Sequence, residues 1–205
     1  MQNIVITIGR EFGSGGKYIG SEVAKRLNIP FYDKEILVKT YERNNINYSK
    51  LEEFDETKKN SILNILDILR NDAYNEVALN EVYQDLIRKT IEDLALSSCV
   101  ILGRNSNNIL KNKKNAIHIF LYSKDLEFKI QRKMEVEGLT HKEAHEKLKK
   151  IDKQREEYYE FLNPNENWKD KDHYDLCIDT GKIGVEKTIE LIVNLYQILS
   201  QEEAV

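Results

Sequence analysis

Glycine is concentrated in one short segment near the start of the chain. Five of the nine glycines lie between residues 9 and 20, namely Gly9, Gly13, Gly15, Gly16 and Gly20. The segment follows a β-branched run at 3–8, typical of a buried strand, and precedes apolar residues at helical spacing up to Leu27. A plain strand–helix turn needs few glycines, so this density favours a backbone that a ligand approaches closely. The sequence therefore predicts that the amides of this loop and the helix N-terminus bind an anion such as phosphate, the alternative being a tight turn without a ligand.

The loop matches the P-loop pattern G-x-x-x-x-G-K-[ST] only in part. With Gly16-Lys17 on the G-K pair, the first glycine of the pattern falls at Glu11, and Tyr18 replaces Ser or Thr. With Gly13-Ser14-Gly15 on a G-S-G stretch of the pattern, Gly16 takes the lysine position and Lys17 the hydroxyl position. Both alignments favour phosphate binding, and in both the lysine or the hydroxyl is missing or displaced.

Strand-like and helix-like segments alternate along the rest of the chain. Short apolar runs predict strands at 29–32, 99–102, 116–121 and 174–178. Apolar residues at helical spacing predict helices at 61–97, 124–136, 140–161 and 185–199. This order predicts an α/β fold whose parallel sheet is covered by helices on both faces. The helical stretch from about residue 33 to 97 is too long for one crossover and is interpreted as an insertion.

Composition excludes several classes of protein. The chain has 205 residues with 40% hydrophobic content, enough for one domain with a sizeable core. Its net charge of −4 argues against a general nucleic-acid binder, although residues 111–155 carry 13 basic and 7 acidic side chains. The bland interpretation of that basic stretch is a solvated helical face, and the alternative is attraction of a polyanion. Two cysteines within apolar runs, no apolar run of transmembrane length and no signal-like N-terminus predict a cytoplasmic protein that does not bind membranes.

Five motifs then follow one another in order over nearly the whole chain, at 6–17, 29–35, 100–104, 152–159 and 174–180. Through them the chain resembles the cytidylate kinase-like family of nucleoside monophosphate kinases. The resemblance implies a three-layer P-loop kinase-like fold with a five-stranded parallel sheet, a helical monophosphate-binding insertion over about 34–97 and a lid over about 132–172. It further implies that ATP, with Mg²⁺, gives its γ-phosphate to a nucleoside monophosphate such as CMP.

The same resemblance implies specific site residues. The residues expected to hold ATP are Gly13, Ser14, Gly15, Gly16, Lys17, Tyr18, Thr180 and Gly181, the last two near adenine. The residues expected to act in catalysis are Lys17, Asp33, Arg132 and Arg155, and those expected to bind the acceptor are Asp33, Lys39 and Arg104. Guanidinium groups suit these roles because their planar forks match phosphate oxygens bidentately.

Each of these charged residues also has a purely structural interpretation. Arg104 could begin a helix in solvent, and Arg132 could belong to a solvated helix face. Arg155 has Asp152 three residues earlier, the spacing of an ion pair within a helix. Asp33 could cap the helix that follows it. The aromatic residues Tyr158, Tyr159, Phe161 and Trp168 are more typical of packing beneath a loop than of base stacking.

The chain departs from true cytidylate kinases at two places. They have Gly-Lys-Ser-Thr in the loop where this chain has Gly15-Gly16-Lys17-Tyr18, and an acid before the glycine-arginine pair where it has Leu102. No side chain is therefore assigned to magnesium. A second hypothesis follows, in which the protein is a catalytically weak nucleotide- or anion-binding regulator on the same fold.

Overall fold

A computed structural model describes residues 3–33, residue 36 and residues 76–201. The strands in these ranges are β1 Val5–Arg10, β2 Phe31–Tyr32, β3 Cys99–Leu102, β4 Ala116–Tyr122 and β5 Leu176–Asp179. The helices are α1 Gly16–Leu27, α2 Glu76–Leu94, α3 Ser106–Ile109, α4 Leu126–Glu137, α5 His141–Leu162, α6 Thr180–Ile183 and α7 Val185–Gln201. A short 3-10 turn, Lys171–His173, precedes β5.

The strands form one five-stranded parallel sheet in the order β2-β3-β1-β4-β5. The central strand β1 pairs with β3 on one side, with Ile8 opposite Leu102, and with β4 on the other, with Arg10 opposite Leu121. Because all the strands are parallel, their carboxyl ends meet at one edge of the sheet, where ligands bind in open α/β folds. The predicted α/β fold with a five-stranded parallel sheet is confirmed.

Alternation along β1 separates the two faces of the sheet. Ile4, Ile6 and Ile8 are buried in a cluster with residues of α1 and α7. Val5 is buried in a second cluster with residues of α2, including Ile91. Since Arg10 follows Ile8 by two positions, the pleat places its side chain on the α1 face.

The predicted insertion lies mostly at 34–35 and 37–75, outside the described residues. The helix expected at 61–97 is seen in its second half as α2, and Ile36 is fully buried against the α2 face of the sheet. The lid segment contains the end of α4 and all of α5, which pack together through Ile130, Ala144 and Leu148.

Most of the aromatic cluster is structural. Tyr159 and Trp168 are buried together with Phe120 and Tyr174, whereas Phe161 is half-exposed. The Trp168 ring meets the Phe120 ring edge-on, with centroids 5.5 Å apart. The preference for packing over base stacking is thereby confirmed for Tyr159 and Trp168. In the described part of the chain, no helix is long and apolar enough to cross a membrane.

Candidate functional site

The glycine loop presents a row of backbone amides at the start of α1. Gly13 and Gly15 have φ values of +83° and +88°, a left-handed conformation that other residues rarely adopt. The first amides of any helix have no intrahelical acceptor. Gly15, the N-cap of α1, has no side chain that could accept a hydrogen bond from them. Within the described ranges, the amides of Gly13, Gly15, Gly16, Lys17 and Tyr18 donate to no protein acceptor. This arrangement suits a bound oxyanion.

The first half of the loop is anchored to the protein instead. The Glu11 amide donates to the Leu121 carbonyl at 2.9 Å, and the Phe12 amide donates to Asp152 Oδ1 at 2.6 Å. The Ser14 hydroxyl is fully buried and donates to the Glu11 carbonyl at 2.8 Å. Ser14 therefore shapes the loop through its hydroxyl, while the amides further along remain available.

The Phe12 ring ties the loop to the α4–α5 hairpin. It packs against the apolar cluster formed by Ile130, Ala144 and Leu148. The Lys133 ammonium lies 4.0 Å from the centre of the ring, within the range of a cation–π contact. The hairpin therefore lies directly on the loop.

Arg132 of α4 lies over the glycine loop, and its catalytic role stays a prediction. A Cβ atom placed on Gly15 would lie 3.2 Å from Arg132 Nε and 3.3 Å from its Cζ. The same guanidinium carbon lies 5.7 Å from the centre of the Tyr18 ring. A glycine at position 15 thus leaves room for the guanidinium above the loop amides.

Arg155 of α5 also reaches the loop, and it makes the helical ion pair that the sequence suggested. Its Nη1 donates to the Arg10 carbonyl at 3.1 Å and lies 3.7 Å from Asp152 Oδ1. The helical ion pair and the approach to the loop therefore occur together. A catalytic role for Arg155 stays a prediction.

Lys17 and Asp33 are brought together, at the end of β2. Lys17 Nζ lies 3.0 Å from Asp33 Oδ2, with 70% of the lysine side chain exposed and 10% of the aspartate side chain. In this arrangement the ammonium neutralises the strand-end carboxylate. The expected contacts of Lys17 with phosphates and of Asp33 with the acceptor stay predictions.

Thr180 and Gly181 follow β5 and have structural partners. The Thr180 hydroxyl is buried and donates to the Tyr122 carbonyl at 3.1 Å. Gly181 packs so closely on Ser123 that a Cβ atom there would clash with its hydroxyl. These contacts account for both residues, and adenine binding by them stays a prediction. Lys39, the remaining acceptor residue predicted, lies outside the described residues.

Arg104 occupies an unusual turn directly after β3. Gly103, Arg104 and Asn105 have consecutive positive φ values of 70°, 58° and 57°. Arg104 is only 5% exposed, which argues against the solvent-exposed interpretation. It lines a cleft of about 560 Å³ between α2, α3 and α5.

The cleft is rich in amide side chains that the sequence analysis did not single out. Asn105 and Asn163 exchange two hydrogen bonds, at 3.2 and 2.9 Å. Asn108 Nδ2 donates to Glu166 Oε2 at 2.7 Å. The run of asparagines after Gly103-Arg104 was the one local signal for this lining, since Asn163 lies 58 residues from Asn105.

Glu11 is a second site residue that the sequence analysis missed. Its carboxylate is buried and bridges two lysines, with Lys129 Nζ and Lys169 Nζ each at 2.8 Å. Burial alone would raise the pKa of Glu11, but the hydrogen bonds and charges of the two lysines outweigh it, so the pKa lies below its ordinary value. Glu11 thus fixes two cations beside the loop.

The lowered pKa of Glu11 predicts a pH-dependent stability. Glu11→Gln should reduce the free energy of unfolding by about 2 kcal/mol at neutral pH, because it leaves two lysines without their carboxylate. A lowered folded-state pKa stabilises the fold above the unfolded-state value, and this stabilisation is lost as the pH falls through the folded-state value. The deficit of the variant should therefore shrink below about pH 4.5.

Urea unfolding at a series of pH values measures this deficit. Glu127→Gln is the matched control, because Glu127 is 56% exposed and its partners among the described residues, His141 and Gln131, lie at the surface with it. We expect no measurable change for the control. A deficit in Glu11→Gln that stays constant across the acidic range would contradict the prediction.

A protein-bound magnesium ion does not fit the described residues. They contain no group of three or more His, Cys, Asp or Glu side chains able to hold a metal ion. The Ser14 hydroxyl donates to the Glu11 carbonyl, and the Asp33 carboxylate is paired with Lys17. Magnesium would therefore be held mainly by the phosphates of a nucleotide and by water.

Comparison with known proteins supports the same fold. The model of the cytidylate kinase-like family matches residues 5–182. The crystal structure of an uncharacterized protein from Eubacterium ventriosum is 31% identical with a TM-score of 0.68, covering 95% of this chain and 98% of that one. No curated protein matches the chain.

More distant structures share the fold at lower identity. The shikimate kinase from Bacteroides thetaiotaomicron is 13% identical with a TM-score of 0.52, covering 96% of this chain and 99% of its own. The protein TT1252 from Thermus thermophilus is 14% identical with a TM-score of 0.53, and both chains are covered completely. At these identities the likeness concerns the fold alone.

Proposed function

The chain belongs to the cytidylate kinase-like family, and from that premise we propose that it transfers the γ-phosphate of ATP to a nucleoside monophosphate such as CMP. The single observation that carries the proposal is the set of unengaged amides of Gly13 and of Gly15 to Tyr18 beneath the guanidinium of Arg132. Unengaged amides at a helix N-terminus form a favourable binding site for a phosphate group. ATP would arrive as its magnesium complex, in which the ion shields the phosphate charges.

The sheet supports an arrangement of donor and acceptor side by side. β1 and β3 are neighbours in the sheet, so the glycine loop and Arg104 emerge from adjacent strand ends, about 5 Å apart. A phosphate oxygen of the acceptor would attack the γ-phosphorus while the bond to the β-phosphate oxygen breaks, leaving ADP. Arg132 would offset the charge that spreads over the transferred group.

The cleft beside Arg104 offers the acceptor two kinds of contact. The buried guanidinium suits its phosphate, because an arginine fork binds two oxygens at once. The amides of Asn105, Asn108 and Asn163 suit hydrogen-bonding edges such as those of a base. CMP is the acceptor that we propose first, on the family premise.

The alternative function, a catalytically weak nucleotide- or anion-binding regulator, is favoured by a different observation. Lys17 is paired with Asp33, and the loop supplies no hydroxyl for magnesium. Such a protein would bind ATP at the same amides without transferring its phosphate at a useful rate.

Release of ADP from ATP and magnesium, measured with CMP, dCMP, UMP, AMP and GMP, separates the two functions. We expect turnover above background with at least one acceptor. Tight ATP binding by calorimetry without turnover would instead support the regulator, and absence of binding would reject both.

We further propose that the protein works in the reducing cytoplasm. Cys99 and Cys177 are free thiols, and burial raises the pKa of Cys99 to about 12, which keeps it protonated and inert. Mass spectrometry of the freshly isolated protein should find both thiols unmodified.

A further inference from the structure

In one of the two alignments with the P-loop pattern, the loop lacks a lysine where the pattern has one. With Gly13-Ser14-Gly15 on the G-S-G of the pattern, the lysine position is Gly16. Lys17, one residue later on α1, has its ammonium 3.0 Å from the Asp33 carboxylate. In this alignment another cation takes the place of the lysine if the loop holds a polyphosphate.

Position 16 requires glycine because a larger side chain has no room there, and not because of its backbone conformation. It lies in the first turn of α1, and its φ is not positive. A Cβ atom on Gly16 would lie 2.8 Å from Arg10 Cβ and 2.9 Å from Arg10 Cγ, closer than real Cβ contacts allow. The stem of Arg10 thus fills the space through which a side chain at position 16 would leave the loop.

Arg10 projects from a firmly held part of the sheet. It is the last residue of β1, in register with Leu121 of β4. Its carbonyl accepts a hydrogen bond from Arg155 Nη1 at 3.1 Å, and the next amide donates to the Leu121 carbonyl at 2.9 Å. These bonds fix the backbone from which the Arg10 side chain leaves the sheet.

We propose that Arg10 supplies, from the end of β1, the positive charge on the bound phosphate chain that a P-loop lysine supplies from the loop itself. The inference rests on the proposed function, because it needs a polyphosphate in the loop. A guanidinium suits the task, since it stays charged at all working pH values and binds phosphate oxygens bidentately. Arg10 then supplies the charge of the usual lysine, and Gly16 leaves the space that the Arg10 side chain needs.

Calorimetric titration with inorganic tripolyphosphate in magnesium-free buffer tests the charge directly. Arg10→Met keeps most of the stem on Gly16 and removes the guanidinium. We expect its affinity to fall on the order of 10- to 100-fold, as for loss of a charged hydrogen bond. Arg26→Met is the matched control, because Arg26 lies at the far end of α1 and pairs with Glu186, and it should bind as the wild type does.

A swap variant tests whether Arg10 and the loop lysine are equivalent. Arg10→Gly combined with Gly16→Lys removes the whole side chain, including the Cβ atom that would lie 2.8 Å from a Cβ at position 16, and restores a lysine at the pattern position. We expect it to bind tripolyphosphate on the order of tenfold more tightly than Arg10→Gly alone, whereas Gly16→Lys alone should lose binding through the clash. Equal binding by Arg10→Gly and the swap variant would overturn the inference.

The remaining outcomes separate this inference from the proposed function. Wild-type protein that binds neither tripolyphosphate nor ADP would overturn both. Wild-type binding that Arg10→Met leaves intact, or a larger loss in Lys17→Met than in Arg10→Met, would overturn the role of Arg10 alone. Urea unfolding midpoints of all variants identify any loss of fold, and if Arg10→Met is unstable the comparison of Arg10→Gly with the swap variant decides.

Discussion

Gly15→Val is expected to reduce ATP affinity by on the order of 100-fold or more while the sheet stays folded. The added Cβ would stand 3.2 Å from Arg132 Nε, a contact so tight that the guanidinium must shift. The branched methyl groups would also cover the amides at the start of α1, which only a bare backbone presents to a phosphate. Isothermal calorimetry with ATP and with ADP measures the loss.

The control must carry the same backbone strain without touching the loop. Gly138 also has a left-handed φ, +67°, and a Cβ atom there would meet nothing within 4 Å. Gly138→Val should therefore cost about 1–2 kcal/mol of stability and leave ATP affinity unchanged. ATP binding by Gly15→Val within a fewfold of the control would refute the assignment of the loop.

Arg104→Ala is expected to lower kcat/KM for the acceptor by on the order of 100- to 1,000-fold, with ATP affinity nearly unchanged. The guanidinium is 5% exposed beside the cleft and would be the main positive charge on the acceptor phosphate. Its removal acts on the acceptor site because the glycine loop belongs to a different strand end. Initial rates at varied acceptor concentration, with calorimetry for ATP, measure both quantities.

Arg104→Lys and Lys89→Ala complete the comparison. The lysine variant keeps the charge but lacks the fork, so it should recover only part of the loss. Lys89 is an exposed residue of α2 that pairs with Asp85 and does not line the cleft, so its variant should behave as the wild type. A similar decrease in ATP affinity and acceptor kcat/KM for Arg104→Ala would place Arg104 in the structure of the whole site.

The sequence predicts the parts of the fold that depend on residues close together along the chain. The β-branched run of β1, the glycines and the apolar spacing of α1 each lie within a few residues, and their types and order are as expected. The parallel sheet follows from the alternation of strands and helices, because parallel strands need crossovers. The Gly103-Arg104 pair was found because it directly follows a buried strand.

The contacts that shape the site join residues far apart in sequence, and no local pattern reports them. Lys129 is 118 residues from Glu11, and Asp152 is 140 residues from the Phe12 amide that it accepts from. Lys17 was assigned to phosphates because it follows the glycines, and its ion pair with Asp33 was not predicted. In these cases the sequence identified the residue but not the direction in which its side chain points.

The packing of Phe12 against the side chains of α4 and α5 has a kinetic consequence. Lifting the hairpin off the loop would draw an aromatic ring out of apolar surroundings, at about 1.5–3 kcal/mol, and break the bond between the Phe12 amide and Asp152. The α4–α5 hairpin and the glycine loop should therefore move together as one rigid body. A nucleotide would then enter and leave from the side where α2 lies.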